Sequence, residues 1–201
     1  MFVVLALALA ACSASDSGSS ASPVVTVEDS MMPSSTADLD QAFIDMMVPH
    51  HQSAIEMAKI AKERATRDEL RSLADAIVSA QETEITQLRD WRQAWFGSGD
   101  TPGMEAMPLM PGMGMPGMDG MAMDGTMDMT IDIEALRTAE PFDQAFIKAM
   151  TAHHVSAIAA AKIIAASTDR PELQGIAADI IEAQQREMDQ MQGWLKSWYP
   201  T

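Results

Sequence analysis

All four histidines of this 201-residue chain occur as two adjacent pairs, His50-His51 and His153-His154. The segment FIDMMVPHHQSAIEMAK at residues 43–59 returns as FIKAMTAHHVSAIAAAK at residues 146–162. The offset of 103 runs without a gap from residues 39–96 onto 142–199, where 25 of 58 positions are identical. Imidazole is the commonest protein ligand for metals and changes charge near neutral pH. Two histidine pairs at matching points of a duplicated unit therefore point to a metal site.

Helical period decides where these rings face. Phe43, Met47, His50, Ala54, Met57 and Ala61 fall on one stripe, and Ile44, Val48, His51, Ile55 and Ala58 on the next. Both rings of a pair are thus expected in the interior. Met47 precedes His50 by three residues and His51 by four, within side-chain reach on a helix. The second unit repeats the pattern with Phe146, Met150, His153, His154, Ala157 and Ile158. The following segment carries Leu70, Ala74, Ile77, Gln81, Glu84, Leu88, Trp91 and Trp95 on one stripe, copied as Leu173, Ala177, Ile180, Gln184, Glu187, Met191, Trp194 and Trp198. A glutamine and a glutamate interrupt both apolar seams at the same place. The histidines precede the intervening turn by about 16 residues and Gln81/Glu84 follow it by about 16, which puts both near 24 Å from the turn at ~1.5 Å per residue. The polar groups are expected on one level.

A carboxylate buried without a partner costs several kcal/mol. Two arrangements answer that cost. Each glutamate accepts a hydrogen bond from a histidine in a polar layer that fixes helix register, or the imidazoles hold a metal and Glu84, Glu187, Gln81 and Gln184 orient them from behind. Four histidines and two methionines at one level favour the metal. Imidazole with thioether, and no thiolate, suits copper: Cu(I) first for its softness, Cu(II) also. Zinc gains little from methionine. A di-iron centre would need Glu-x-x-His on two helices, whereas Met47, Val48, Met150 and Thr151 stand three residues before the histidines.

The elements that position this level read as two αα-hairpins, residues 37–97 and 133–201. They are expected to pack as one all-α, antiparallel four-helix bundle, since neither hairpin buries its stripe alone. Asp38, with Gln41, is expected to cap the first helix; Thr66-Arg67-Asp68-Glu69 reads as a capping box, and Asp169-Arg170-Pro171-Glu172 as its copy. The first hairpin ends before Gly97, and Glu140-Pro141 places proline in the first turn of the third long helix. Only five Phe and one Tyr argue against a β-rich fold.

Between the hairpins, residues 98–132 hold Met104, Met107, Met110, Met113, Met115, Met118, Met121, Met123, Met127 and Met129 among glycines and prolines that exclude a long helix. Such a linker is expected to be disordered. Thioethers bind soft cations without first losing a proton, so these ten read as a second, linker-borne copper site. The bland alternative is a pliable apolar surface for partners.

The formal charge of −16, with 13 basic residues, argues against nucleic acid and against anionic lipid as partners and favours cations. Residues 2–11 are an apolar run too short to span a bilayer and fit the core of an export signal, although no Lys or Arg precedes them. Leu9-Ala10-Ala11-Cys12 resembles a bacterial lipobox, with Cys12, the single cysteine, as the lipidated residue. Residues 1–11 would then be the signal peptide and 12–36 a flexible tether. This places the protein outside the cytoplasm, anchored on the outer face of the cytoplasmic membrane or in the periplasm.

The unit FIDMMVPHHQSAIEMA, followed by a helix with Gln-x-x-Glu and a terminal Trp, resembles the domain of unknown function 305 family. These are exported bacterial proteins with a ferritin-like four-helix architecture, some associated with copper binding and resistance. The family pattern falls on Phe43, Met47, His50, His51, Ala54 and Ile55, and again on Phe146, Met150, His153, His154, Ala157 and Ile158. The resemblance adds Met57 to the candidate ligands, while Ala160 stands at that place in the second unit. It implies a copper-binding protein, not an enzyme, that buffers, stores or transfers the ion; transfer implies a copper-handling protein partner. A metal-free structural or interaction module, and a metal-dependent redox enzyme, are the alternatives.

Overall fold

The computed structural model describes residues 35–103 and 133–200. Five helices lie among the described residues: α1 (Thr36–Arg64), α2 (Asp68–Phe96), α3 (Ile133–Thr138), α4 (Phe142–Ser167) and α5 (Pro171–Trp198). The main contacts are α1 with α2, α4 with α5, and α1 with α4. This is an all-α bundle of two hairpins, and the short α3 lies against α1 and α4. Cys12 and the ten linker methionines from Met104 to Met129 lie outside the described residues.

The stripes become the core. Phe43, Met47, Ala54, Met57 and Ala61 on α1, and Phe146, Met150, Ala157 and Ala161 on α4, have no exposed surface. By length and composition α4 is apolar enough to cross a bilayer, yet Phe146, Ile147, Met150, Ile158 and Ile164 all lie buried in this core. Pro49 sits inside α1 one residue before the first histidine pair. It cannot donate the bond to the carbonyl four residues back, and the helix continues through it; Ala152 occupies this place in α4.

The hairpins pack head to tail. The turn after α1 meets the open end of the second hairpin, where Thr66 N donates to Asp143 Oδ1 at 2.9 Å and Thr66 Oγ1 to Asp143 Oδ2 at 2.5 Å. The turn after α4 meets the open end of the first, where Arg170 Nε donates to Asp40 Oδ2 at 2.9 Å. Each turn also lays an arginine on the other hairpin's terminal tryptophan: Arg67 on Trp198 at 4.7 Å and Arg170 on Trp95 at 4.1 Å. These reciprocal clasps give the repeats a pseudo-twofold relation and set α1 antiparallel to α4.

Several helix ends differ from expectation. Ser35, not Asp38, caps α1, accepting from Asp38 N at 3.2 Å. Neither Thr66 nor Asp169 caps the helix that follows it: Arg67 and Arg170 occupy the cap positions, with no side-chain cap bond. Thr66 is drawn instead to a buried carboxylate on the other hairpin, a stronger charge-assisted partner than a local N–H. Pro141 is the cap residue of α4, after a cis Glu140–Pro141 bond, and does not lie in the first turn. The end of α2 is as expected, with Gly97 in the left-handed region at φ 83°.

Candidate metal centre

All four histidines are buried, His51 and His154 completely. The pseudo-twofold relation brings the pairs together where α1 crosses α4, and the His50 and His153 rings face each other with centroids 3.7 Å apart. Within each pair the rings lie 6.4 Å apart. The glutamates of the outer helices reach this layer: His154 Nε2 pairs with Glu187 Oε2 at 2.7 Å, and His51 Nε2 lies as close to Glu84 Oε2 but off line for a hydrogen bond. Both carboxylates keep a little water access, with side chains 16% and 17% exposed.

Gln81 and Gln184 are buried one turn earlier, and their Oε1 atoms have no hydrogen-bond partner. The methionines divide between two clusters. Met57 and Met150 belong to one core cluster, while Met47 belongs to the other with Ala157 and Ala160. Met46 shares the cluster of Met47, and Met188 and Met191 share that of Met57 and Met150.

Two serines escaped the sequence reading. Ser156 Oγ lies 2.8 Å from His50 Nε2 and donates to the His153 carbonyl at 2.7 Å. Ser53, its counterpart, is buried but makes no such bond to His153, whose two ring nitrogens are both unpaired. The signal was available: a serine follows the first histidine of each pair by three residues in both repeats.

Burial, and the neighbouring imidazoles, hold the His50 ring well below the ordinary value of 6.5, and push His153 down to about 3. Both are neutral at neutral pH, with lone pairs available to a Lewis acid. The Nδ1 atoms of His50, His51, His153 and His154 are all buried and without partners. A buried polar atom left unpaired costs about 1–3 kcal/mol, so four in one layer call for an explanation. Among the described residues no three His, Cys, Asp or Glu side chains converge as a finished cage. The unpaired set is one of imidazole nitrogens with thioethers nearby, which fits a soft or borderline metal ion.

A profile of the family described as Domain of unknown function (DUF305) matches residues 40–199. The chain belongs to this family. CopM in the Cu(I)-bound form is similar at 36% identity and a TM-score of 0.66, over 80% of this chain and 97% of that one. CopM in the Cu(II)-bound form gives 38%, 0.65, 80% and 97%. A DUF305 protein of Streptomyces coelicolor, described as a candidate secreted protein, gives 27%, 0.63, 81% and 93%. Among the curated proteins none matches.

Proposed function

We propose that this protein binds copper outside the cytoplasm and buffers, stores or passes on the ion. The observation that carries this reading is the layer of four buried histidines whose Nδ1 atoms lack partners. Its likeness to CopM, solved with Cu(I) and with Cu(II), supports the choice of metal. His50, His51, His153 and His154 would hold the ion, with Met47, Met57 and Met150 as the thioether ligands. Glu84 and Glu187 would orient the outer rings. Copper is cargo in this reading rather than a catalytic centre, and the linker methionines Met104 to Met129 would capture or relay Cu(I).

Depressed basicity at His50 and His153 adds a practical property. Protons compete with the metal for those rings only well below the ordinary imidazole range. Together with thioethers, which do not titrate, this suits an acidic extracytoplasmic setting. Export is supported by the description of the Streptomyces coelicolor relative as a candidate secreted protein. Anchoring would rest on Cys12, and a Cys12→Ala change is expected to move the protein from the membrane to the soluble exported fraction.

The alternative of a metal-free polar layer has its own support in the His51–Glu84 and His154–Glu187 pairs. Competition titration against a Cu(I) chelator separates the two, run on the full protein and on a variant lacking residues 103–129. Retention by the shortened protein, lost when all four histidines become alanine, is the expected result. A shortened protein that retains no copper removes the bundle site.

A further inference from the structure

The hydrogen bonds around the layer also determine which nitrogen of each ring is left for a ligand. A serine hydroxyl has one proton to donate. In Ser156 it goes to the His153 carbonyl, at 2.7 Å. Oγ must therefore act as acceptor toward His50 Nε2, 2.8 Å away, so that nitrogen carries the ring proton. His50 is then the Nε2–H tautomer, and its lone pair sits on Nδ1, which is buried and has no partner. Carboxylates favour the same polarity on the outer rings. Glu187 accepts from His154 Nε2 and keeps the proton there, and the negative charge of Glu84, 2.7 Å from His51 Nε2 though off line for a hydrogen bond, favours a proton on that nitrogen.

His153 has neither a serine nor a carboxylate against its ring. Ser53 stands where Ser156 stands in the other repeat but makes no bond to His153. The two repeats, alike in sequence at this point, thus differ in how they hold the inner ring.

We infer that Ser156 is a positioning residue that locks His50 as the Nε2–H tautomer and leaves Nδ1 as its ligating atom, as the glutamates do for His154 and His51, while no hydroxyl or carboxylate fixes the tautomer of His153. This rests on the proposed copper function for its purpose, though not for its test. The lock has a chemical use. A ring whose proton is already fixed on the far nitrogen needs no tautomer change before its lone pair meets a metal.

Long-range ¹H–¹⁵N correlation spectra of the ¹⁵N-labelled, metal-free full chain read each tautomer directly, at about pH 8, above the ordinary imidazole range. His50, His51 and His154 are expected as Nε2–H, with His153 as a mixture. In Ser156→Ala the His50 resonances alone should move to a mixture, and Ser156→Thr, which keeps the hydroxyl, should restore them. Ser53→Ala should leave all four rings unchanged. His50 as Nδ1–H in the unmodified protein overturns the inference, and so does an unchanged His50 in folded Ser156→Ala. If Ser156→Ala does not fold, the unmodified spectrum and Ser156→Thr still decide it. Because the spectra need no metal, a protein that shows these tautomers yet binds no copper would sink the functional reading and leave this one standing.

Discussion

His50 and His153 come from segments 103 residues apart in the sequence, yet their rings face each other at 3.7 Å across the α1–α4 seam, closer than either lies to its own chain neighbour. Two imidazoles at that distance in a dry interior cannot both carry charge, because burial and mutual repulsion act in the same direction. The consequence is a layer of bases held neutral at the centre of the bundle.

Stability of the metal-free protein should therefore depend on pH in a particular sense. The folded values of His50 and His153 are depressed, the latter to about 3, while the unfolded chain takes up protons near 6.5. The unfolded state binds more protons between those values, so stability is complete above about pH 6.5 and is lost as pH falls below it. Each ring contributes up to about 1.4 kcal/mol per pH unit in that window. Thermal unfolding between pH 7 and 5, above most carboxylate titration, should show a falling Tm that a His50→Gln/His153→Gln variant flattens. A Tm unchanged over that range contradicts the neutral layer.

The candidate thioethers give a second expectation. Methionine to leucine conserves volume and costs less than about 1.5 kcal/mol, but it removes the soft donor. Met57→Leu with Met150→Leu should weaken Cu(I) binding and leave Zn(II) binding nearly unchanged, with little change in Tm. Met47→Leu, three residues before His50 on α1, should weaken Cu(I) binding in the same sense. Equal Cu(I) affinity in all three proteins would remove the thioethers from the site.

The reciprocal clasps should matter to folding and not to metal. Asp143 is buried and accepts both the Thr66 amide and its hydroxyl. Asp143→Ala leaves those donors unpaired at about 1–3 kcal/mol, which denaturant titration would register as a lower midpoint. Copper stoichiometry should stay the same in the folded fraction. A loss of copper without a loss of stability would mean that the clasp positions the histidine layer directly.

How much of this was legible beforehand follows from the range of each interaction. The stripes and the common height of His51 with Glu84 could be read because a helix repeats with a fixed period and rise, and the duplication stated the pattern twice. The caps were misread because Thr66 and Asp169 look like local caps, whereas Thr66 has a buried carboxylate 77 residues away. The bond from His50 to Ser156 exists only because α1 and α4 cross head to tail. No spacing within one repeat encodes that crossing.

The outer pairs separate a ligand site from a structural layer. Glu84 and Glu187 keep 16% and 17% exposure, so losing their histidine partners leaves carboxylates that water can reach. His51→Ala with His154→Ala should therefore cost stability only modestly, on the order of 1–3 kcal/mol, while metal content falls. Glu84→Gln with Glu187→Gln should act differently, since the amide oxygen still accepts a proton from the ring. Metal content should hold and affinity drop by roughly 10–100-fold, the scale seen when a group behind a ligand is changed. If the pairs serve register alone, both double variants shift Tm and neither alters copper binding. Metal analysis beside calorimetry on the same samples distinguishes these patterns. Full copper retention after all four histidines become alanine and residues 103–129 are removed would take the histidines out of the site altogether.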